Sequence, residues 1–553
     1  MPRTIASFLR DRKGNIATLF GLSLLPLALI AGTAIDYTGA NTMLSNLQKS
    51  VDAATLELCQ TSANLTVADL RTRAQISLNE RFSDAPVTII DLQSQSIPRA
   101  ITLSAKAASP TTFMQLANVP SIPISATATC SASETYFEIA LVLDTTGSMQ
   151  NSGKITSAKT AATNFVNYMF STGAMPGHVR MSLVPFAATV AVPTSYRTAA
   201  WMDSKGLSPL HWQYITSPVS NTTNPTTNFA SRFTIYDQLK TKNSSWGWAG
   251  CVESPPYPYN VNDGAVSSSV PASLIVPSFA IDELTDVSKT KYYSNNTYLD
   301  DGYATGSSAT CRSDDPTLSK RMTQACKYQA AKNTQTSAGG PNWMCTSRPL
   351  SILGTSQSTL LSEINLLQPS GNTDIHEGFM WGWRTISPTS VFSSQASPPV
   401  SYAQTIPQGG LPVYKKIIVL MTDGANTWTS DNSMALGSYY SAYGYFKKAD
   451  GTDPTSANSR FIPGRTNLKT DSDGRAAIDE LVSTSCTNAK AKGVVIYTVG
   501  FSTKSDPIDA QGQALLKNCA TGNNYYFLAT DGTALVSAFD TISKSIGSLR
   551  LTH

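Results

Sequence analysis

Two short apolar runs, each leading into an aspartate, constrain the fold of this chain more than any other feature of its sequence. Residues 139–143, which follow Glu138, lead directly into Asp144, and residues 417–421, which follow Lys416, lead through Thr422 into Asp423. Apolar runs of this length are typical of strands that are buried on both faces of a parallel sheet. Open α/β sheets place their ligands at the carboxyl ends of such strands. The sequence therefore predicts an α/β domain whose polar strand ends meet at one edge of the sheet.

Hydroxyl side chains accompany these strand ends in a pattern that suits a hard divalent cation. Thr146 and Ser148 follow Asp144 closely, and a loop at residues 371–375 offers the hydroxyl of Thr373. Oxygen atoms from carboxylates, hydroxyls and water are the ligands that Mg²⁺ prefers. We expect one divalent cation here, Mg²⁺ first, with Ca²⁺ or Mn²⁺ as alternatives. The competing explanation is that these residues simply end strands in turns, where Asp, Thr, Gly and Ser are common.

The order Asp-x-Thr-x-Ser, then a loop threonine, then a strand-end Asp-Gly resembles the metal-ion-dependent adhesion site of von Willebrand factor type A domains. The resemblance implies a doubly wound, mostly parallel, Rossmann-like sheet. It also implies a cation that keeps one position open for a partner's carboxylate, so that the site serves adhesion. The implied metal ligands are Asp144, Thr146, Ser148, Thr373 and Asp423. Many members of the family have serine where this chain has Thr146, but the hydroxyl oxygen is retained and we expect metal binding to persist.

Two other chemistries fit the same stretch less well. Gly147 and Gly153-Lys154 approach a phosphate-binding loop, but the spacing is one residue too long and Ile155 stands where the metal-binding hydroxyl belongs. Because the phosphate cradle requires fixed spacing, we reject this interpretation. A metal-assisted hydrolase is disfavoured because Ser148 lies in no Gly-x-Ser-x-Gly elbow, and neither a second metal cluster nor a general base is evident near it. We therefore expect a protein that is not an enzyme.

Composition argues against two further kinds of protein, nucleic-acid binders and zinc proteins. A net charge of +4 over 553 residues is too small to indicate nucleic-acid binding. The eight cysteines show no Cys-x-x-Cys spacing and the four histidines are scattered, so disulfides outside the cytosol are favoured over a zinc site. The disulfide candidates are Cys59, Cys130, Cys251, Cys311, Cys326, Cys345, Cys486 and Cys519.

The amino terminus predicts a membrane anchor. Residues 16–35 are uncharged and long enough to span a bilayer as a helix, with Pro26 at a position where such helices often kink. Basic residues precede the span and Asp36 follows it, so residues 1–15 are expected in the cytoplasm and the rest outside it. A cleaved signal peptide is the alternative, but the apolar run is longer than a usual signal core.

An apolar seam continues the helix beyond the membrane. We expect residues 36–133 to form a pilin-like helix with a small β module packed on it, with strands at 87–90, 100–104 and 122–130. Cys59 and Cys130 are expected to join the helix to the last strand. The seam is also a candidate surface for self-association, and its members are Tyr37, Ala40, Leu44, Leu47, Val51, Ala54 and Leu58.

Residues 12–17, the apolar run with its proline, and residues 32–37 resemble the amino-terminal segment of TadE/TadG-type proteins of the tight-adherence (Flp) pilus apparatus. That segment followed by a von Willebrand type A domain resembles TadG-like proteins. The resemblance implies a single-pass protein of the bacterial inner membrane with its bulk in the periplasm, or exposed at the surface. It further implies a role in pilus biogenesis, in which the metal binds an acidic group on a pilus, assembly or surface partner. A structural scaffold with an incidental metal site is the second possibility. Prepilin peptidase substrates carry glutamate where this chain has Leu19, so we expect an uncleaved anchor.

Residues 134–553 are expected to form the type A domain with insertions at about 195–350, 387–412 and 427–473. The first insertion is too long for an ordinary loop and contains half of the cysteines, which we expect to form two internal bridges. Its aromatic residues, such as Trp246-Gly247-Trp248, predict either a recognition surface or, as we favour, self-contained packing. In the carboxyl-terminal region strands and helices alternate, and Cys486 and Cys519 are expected to pair. His376, which lies beside the Thr373 loop, is expected at the surface.

Overall fold

A computed structural model of the chain describes residues 15–59, 61, 65–96, 99–132, 135–171, 177–215, 229–283, 296–299, 322–330, 339–405, 412–431, 434, 436–447, 460–465 and 468–548. Contacts divide the chain into two compact units, of which the second begins at Thr135. Each unit has its own sheet and its own buried core.

The first unit begins with one long helix, α1 (Asn15–Cys59), which contains Pro26. Within the described part of the chain, it is the one helix that is long and apolar enough to cross a membrane. Phe20, Leu27 and Ile30 in its first half are more than half exposed. Such a concentration of exposed apolar side chains is suited to contact with lipid, in agreement with the predicted span.

A second helix, α2 (Val67–Arg81), was not predicted, although its start carries a sequence signal. Thr66 accepts a hydrogen bond from the backbone N–H of Asp69, and the Asp69 carboxylate accepts one from the N–H of Thr66. This reciprocal capping box satisfies two N–H groups that an uncapped helix leaves unpaired. The helix belongs to the same core as the second half of α1.

The sheet of the first unit packs on the second half of α1. Its strands β1 (Thr88–Ser96), β2 (Arg99–Pro110) and β3 (Ser121–Ala132) are antiparallel neighbours in that order, and the Cys59–Cys130 disulfide joins α1 to β3. The three predicted strands and this disulfide are thereby confirmed. The seam is covered by the chain's own sheet, which corrects its assignment as a surface for self-association; its fully buried members include Ala40, Leu47, Val51, Ala54 and Leu58.

The second unit is built on a sheet whose described strands have the order β6-β5-β4-β7-β8-β9. These strands are β4 (Thr135–Asp144), β5 (Val179–Phe186), β6 (Ser351–Gly354), β7 (Val413–Thr422), β8 (Val495–Phe501) and β9 (Tyr526–Ala529). β4 pairs in parallel with β5, and β8 pairs in parallel with both β7 and β9, whereas the edge strand β6 is antiparallel to β5. The predicted α/β class is confirmed with a mixed sheet, and a doubly wound type A arrangement stays a prediction.

Helices cover both faces of this sheet, because successive side chains of a buried strand point to opposite sides. The described helices are α3 (Lys154–Ser171), α4 (Arg232–Lys242), α5 (Lys327–Ala330), α6 (Gln357–Asn365), α7 (Ile375–Ile386), α8 (Asp471–Ala491), α9 (Ala510–Cys519) and α10 (Gly532–Ser548). Ile139 and Leu141 of β4 join a core with α3, α6 and α10. Ala140 and Val142 join the opposite core with α7, α8 and α9.

The long insertion packs its aromatic residues into the core on the α7 side of the sheet. Trp246 and Trp248 are buried, with their rings 5.1 Å from that of Tyr298 and 5.0 Å from that of Phe233, respectively. Both contacts are edge-to-face, an arrangement that aromatic rings favour. These tryptophans therefore serve packing, as the favoured interpretation predicts, rather than an exposed recognition surface.

Disulfides tie the second unit in two described places. Cys251 pairs with Cys345 inside the first insertion, and Cys486 pairs with Cys519 to join α8 to α9. Cys326 is also disulfide-bonded, while Cys311 lies outside the described residues. The predicted Cys486–Cys519 pairing is confirmed.

Candidate metal centre

The carboxyl ends of β4 and β7 meet at one edge of the sheet. The two strands are neighbours, and Thr422 at the end of β7 donates its hydroxyl to Asp144 Oδ2 at 2.5 Å. Asp144 Oδ1 accepts the backbone N–H of Thr146 at 2.8 Å. Both carboxylate oxygens of Asp144 are thus held in place, and the residue is fully buried.

Two hydroxyls connect Asp144 to the second aspartate. The hydroxyl oxygens of Thr146 and Ser148 lie 3.1 Å apart, and Ser148 donates to Asp423 Oδ1 at 2.7 Å. Ser148 lies in a 3₁₀ turn at Gly147–Gly153 that follows β4. The structure therefore brings four of the five sequence-predicted ligands together along one hydrogen-bonded path.

The fifth residue, Thr373, lies on a loop that is joined to both strand ends. The N–H of Gly147 donates to the carbonyl of Gly371 at 2.9 Å, and the N–H of Thr427 donates to the carbonyl of Thr373 at 2.8 Å. A Cβ placed on Gly424 would lie 3.8 Å from the Thr373 hydroxyl oxygen. That hydroxyl is therefore next to the residue that follows Asp423, on the side where the other donors gather.

The electrostatics of the two aspartates indicate a shortage of positive charge. Burial, together with the nearby charge of Asp423, raises the pKa of Asp144 to about 7. Burial also raises the pKa of Asp423, although hydrogen bonds from Lys154 and Ser148 oppose the rise. Two neighbouring buried carboxylates resist ionising together, and a cation placed between them removes that conflict.

Lys154 also belongs to this site, although its place in the sequence does not predict it. Its ammonium donates to Asp423 Oδ2 at 2.9 Å and to Asp506 Oδ2 at 2.8 Å, and its side chain is fully buried. The hydrogen bond from Lys154 lowers the pKa of Asp506. A lysine at the first position of α3 lies at the positive end of the helix dipole, which is unfavourable without such acidic partners. The lysine that a phosphate loop would use therefore serves Asp423 instead.

His376 corrects one expectation about the surroundings of the site. It is fully buried rather than at the surface, with Nδ1 at 2.8 Å from the Tyr443 hydroxyl and Nε2 at 2.8 Å from the carbonyl of Asn260. Burial lowers its pKa to about 3. The Tyr443 hydroxyl also donates to Asp374 Oδ1 at 3.1 Å, so His376 supports the loop that carries Thr373.

The donors that are present fit a hard divalent cation. They are oxygen atoms only, from two carboxylates and three hydroxyls, which is the chemistry that Mg²⁺ accepts. Within the described residues, no three His, Cys, Asp or Glu side chains gather as a metal-binding group, so a carboxylate- or imidazole-rich centre is not formed there. Ser148, Asn372 and Gly424 are partly exposed, so an outside ligand has an approach to this edge. A cation bound here would be held by Asp144, Thr146, Ser148, Thr373 and Asp423.

Comparison with protein families identifies the amino-terminal part of the chain. Residues 14–57 match the Tad family model, which is described as "Putative Flp pilus-assembly TadE/G-like". The chain carries a TadE/G-like segment at its amino terminus. This segment covers most of α1, that is, both the apolar first half and the half that packs on the first sheet. A search of the curated proteins found no match.

Several of the solved structures that are similar to the chain are pilus proteins. They include the vWF domain of the type V pili tip protein Mfa5 from Porphyromonas gingivalis, with 12% identity, a TM-score of 0.31 and coverage of 75% of this chain and 96% of that one. The pilus adhesin SpaC from Lactobacillus rhamnosus GG shows 9% identity and a TM-score of 0.31, covering 84% of this chain and 35% of its own. The pilus adhesin RrgA from Streptococcus pneumoniae shows 10% identity and a TM-score of 0.30, covering 83% and 48%. At these TM-scores we base no inference on the likeness.

Proposed function

We propose that the second unit binds one divalent cation, with Mg²⁺ as the preferred ion, and uses it to bind an acidic group on a protein partner. The observation that carries the proposal is the hydrogen-bonded path from Asp144 through Thr146 and Ser148 to Asp423. It gathers oxygen donors from segments that are far apart in the sequence. Because neutral hydroxyls offset little of a cation's charge, the bound ion stays electrophilic toward a carboxylate supplied from outside.

The TadE/G-like segment supports a role in pilus assembly, and the apolar first half of α1 supports a membrane anchor. We infer a single-pass protein of the bacterial inner membrane, with residues 1–15 in the cytoplasm and the bulk in the periplasm. Basic residues before the span and Asp36 after it support this orientation. The partner is then a pilin, an assembly protein or a surface component, and the protein acts by binding rather than by catalysis.

Metal binding is tested by calorimetric titration of the full-length protein in detergent with MgCl₂ or MnCl₂ after removal of bound metal by EDTA. We expect one site, and at least a tenfold loss of affinity in Asp144→Asn and in Asp423→Asn. Asp237→Asn is the matched control, because this carboxylate pairs with Arg197 at the surface of the same unit. Unchanged affinity in both site variants would refute the proposed ligand set.

Partner binding is tested by capture from bacterial envelope extract, with and without EDTA. We expect an acidic partner to be retained with Mg²⁺ and released by EDTA, and Ser148→Ala to lose it while remaining in the membrane. If capture in EDTA and capture by Asp144→Asn both remain as strong as capture by the native protein with Mg²⁺, the metal is incidental and the scaffold role is the one that stands. Pilus assembly in strains carrying Asp144→Asn or lacking the second unit separates the two, since only the adhesive role predicts equal defects.

A further inference from the structure

We propose that the tip of the β2–β3 hairpin, residues 111–120, rests in the interface of the same bilayer that α1 crosses. The first unit would then hold the membrane at two points, a transmembrane helix and a shallow loop. This inference rests on the proposed membrane anchor and is independent of the metal site. The chemical class of the ligand is a phospholipid bilayer surface.

The hairpin tip is bound to α1 where the predicted span ends. Asp36, one residue beyond the span, accepts backbone N–H groups from Thr112 at 2.9 Å, Phe113 at 2.8 Å and Met114 at 2.7 Å. Asp36 is buried as a residue, at 7% exposure. Hydrogen bonds to a charged carboxylate are stronger than those between neutral groups, so the tip is held at a defined height along the helix.

The tip also reaches toward the lipid side of Asp36. The Phe113 side chain packs so closely on Gly32 that a Cβ at this glycine would collide with it. Gly32 is one turn before Asp36, or about 6 Å along the helix axis. Phe113 is therefore level with the last turn of the predicted span, within the depth that the headgroup region of a bilayer occupies.

The exposed surface of the tip carries no charge, and it presents large apolar side chains beside the polar Thr112, Gln115 and Asn118. Leu116 in the 3₁₀ turn Met114–Ala117 is 80% exposed, and Val119 is also exposed. No charged residue occurs between Lys106 and Glu134. An apolar side chain this exposed has little to stabilise it in water, but it gains from burial at the boundary of headgroups and acyl chains.

The neighbouring face of α1 has the same character, which favours lipid over a protein partner. Ile35 and Tyr37 are 60% and 61% exposed at this height. Tyrosine is enriched at membrane–water interfaces, where its ring and hydroxyl meet both environments. The tip therefore continues a surface that the proposed anchor already places in the bilayer.

The test uses the full chain with one introduced cysteine carrying an environment-sensitive fluorophore, because every described cysteine is in a disulfide. The labelled variants are Leu116→Cys in the tip, Ser94→Cys on β1 as a water-exposed control, and Ile30→Cys in the span as a control for insertion. They are reconstituted in phosphatidylethanolamine–phosphatidylglycerol vesicles that contain lipids spin-labelled at shallow or deep positions.

We expect the probe at residue 116 to be quenched at least twofold more by shallow than by deep labels, and the probe at residue 94 to be quenched by neither. Asp36→Asn, which weakens the attachment of the tip to α1, should reduce quenching at residue 116 and leave residue 30 unchanged. If residue 30 is quenched while residues 116 and 94 both behave as in water, the anchor stands and this proposal fails. If residue 116 is shielded only in native envelopes and not in vesicles, a protein covers the tip and the proposal also fails.

Discussion

At the scale of single residues, Lys154 decides how much charge the site presents. It neutralises one oxygen of Asp423 and one of Asp506, while the other oxygen of Asp423 accepts from Ser148. One carboxylate oxygen of Asp423 is therefore occupied by an ammonium and the other faces the hydroxyls. This arrangement lets the metal-free protein tolerate a buried aspartate at a strand end, because a buried charge needs a partner.

Removing that ammonium should destabilise the protein. In Lys154→Met, Asp423 and Asp506 lose their shared partner, and breaking a buried pair typically costs about 3–5 kcal/mol. The measurement is urea unfolding of the full chain in EDTA, followed by tryptophan fluorescence, which reports the second unit because all eight tryptophans lie there. Lys544→Met is the control, since this lysine pairs with Asp540 on an exposed helix face, where solvent screens the pair and its loss should leave stability nearly unchanged. Equal effects of the two variants would contradict the assigned role.

His376 should make stability sensitive to acid. Its pKa is about 3 in the folded protein against 6.5 for an ordinary histidine, so the folded state binds fewer protons than the unfolded state below pH 6.5. The contribution of this residue is present above pH 6.5 and is lost as the pH falls toward 3, by about 1.4 kcal/mol per pH unit.

The effect is isolated by comparing the native protein with His376→Gln, because other buried groups titrate in both. The difference in unfolding free energy between the two should move by about 2 kcal/mol against the native protein between pH 7 and pH 5. A difference that does not vary with pH would show that His376 is accessible to protons in the folded state.

At the scale of elements, α7 matters because it carries the Thr373 loop at its start and packs closely on the sheet. Two glycines make that approach possible: a Cβ at Gly378 would lie 2.5 Å from the ring of Phe186, and one at Gly382 would collide with Val142. The helix is buried along its whole length. Its position therefore depends on the absence of side chains at these two places.

Gly382→Ala should accordingly destabilise the second unit by about 1–3 kcal/mol, because overpacking outweighs the gain in helix propensity. Tryptophan fluorescence is a direct readout, since Trp381 and Trp383 flank the site of change. Gly522→Ala is the matched control: its backbone is extended and a Cβ there approaches nothing more closely than 3.7 Å. A stabilising effect of Gly382→Ala would contradict the close packing.

At the scale of the whole molecule, the second unit is extended by insertions that share a buried charge cluster. Arg232 donates to Glu253 at 2.6 Å, and Arg460, from the third insertion, pairs with the same carboxylate. Burial alone would raise the pKa of Glu253, but the two guanidinium charges hold it below its usual range. Glu253 thereby joins the first insertion to the third, beside other hydrogen bonds between them such as Asn260 to the carbonyl of Arg460.

The Cys251–Cys345 disulfide should also stabilise the second unit against unfolding. It closes a loop of 94 residues, against 33 for Cys486–Cys519. Removing either disulfide by paired alanines should lower the unfolding free energy by about 2–5 kcal/mol, and the chain-entropy model predicts a loss about 1 kcal/mol larger for the longer loop. Urea unfolding of the two double variants under oxidising conditions makes the comparison, and no loss in the Cys251→Ala/Cys345→Ala variant would contradict it.

Local pattern in the sequence was enough to predict the long apolar helix, the three strands of the first sheet, the central strands β4 and β7 of the second, and the gathering of Asp144 and Asp423 at one sheet edge, whereas the edge strand β6 was not predicted. These predictions succeeded because they depend on the spacing of apolar side chains and on the rule that strand ends carry ligands, both of which are local. The bridges Cys59–Cys130 and Cys486–Cys519 followed from the elements on which the cysteines lie.

Only the tertiary structure decided which side chains join the site and which residues become buried. Lys154 and Asp506 reach the site from positions whose neighbours in sequence do not predict where their side chains end, and only the structure shows that Thr422 donates its hydroxyl to Asp144. The seam of α1 is covered because β2, β3 and α2 pack on it, and His376 is buried because residues of two insertions fold over it. Burial and ion pairing are sums over contacts between distant segments, so a pattern read along the chain predicts which residues are able to form a site but not which partners they find.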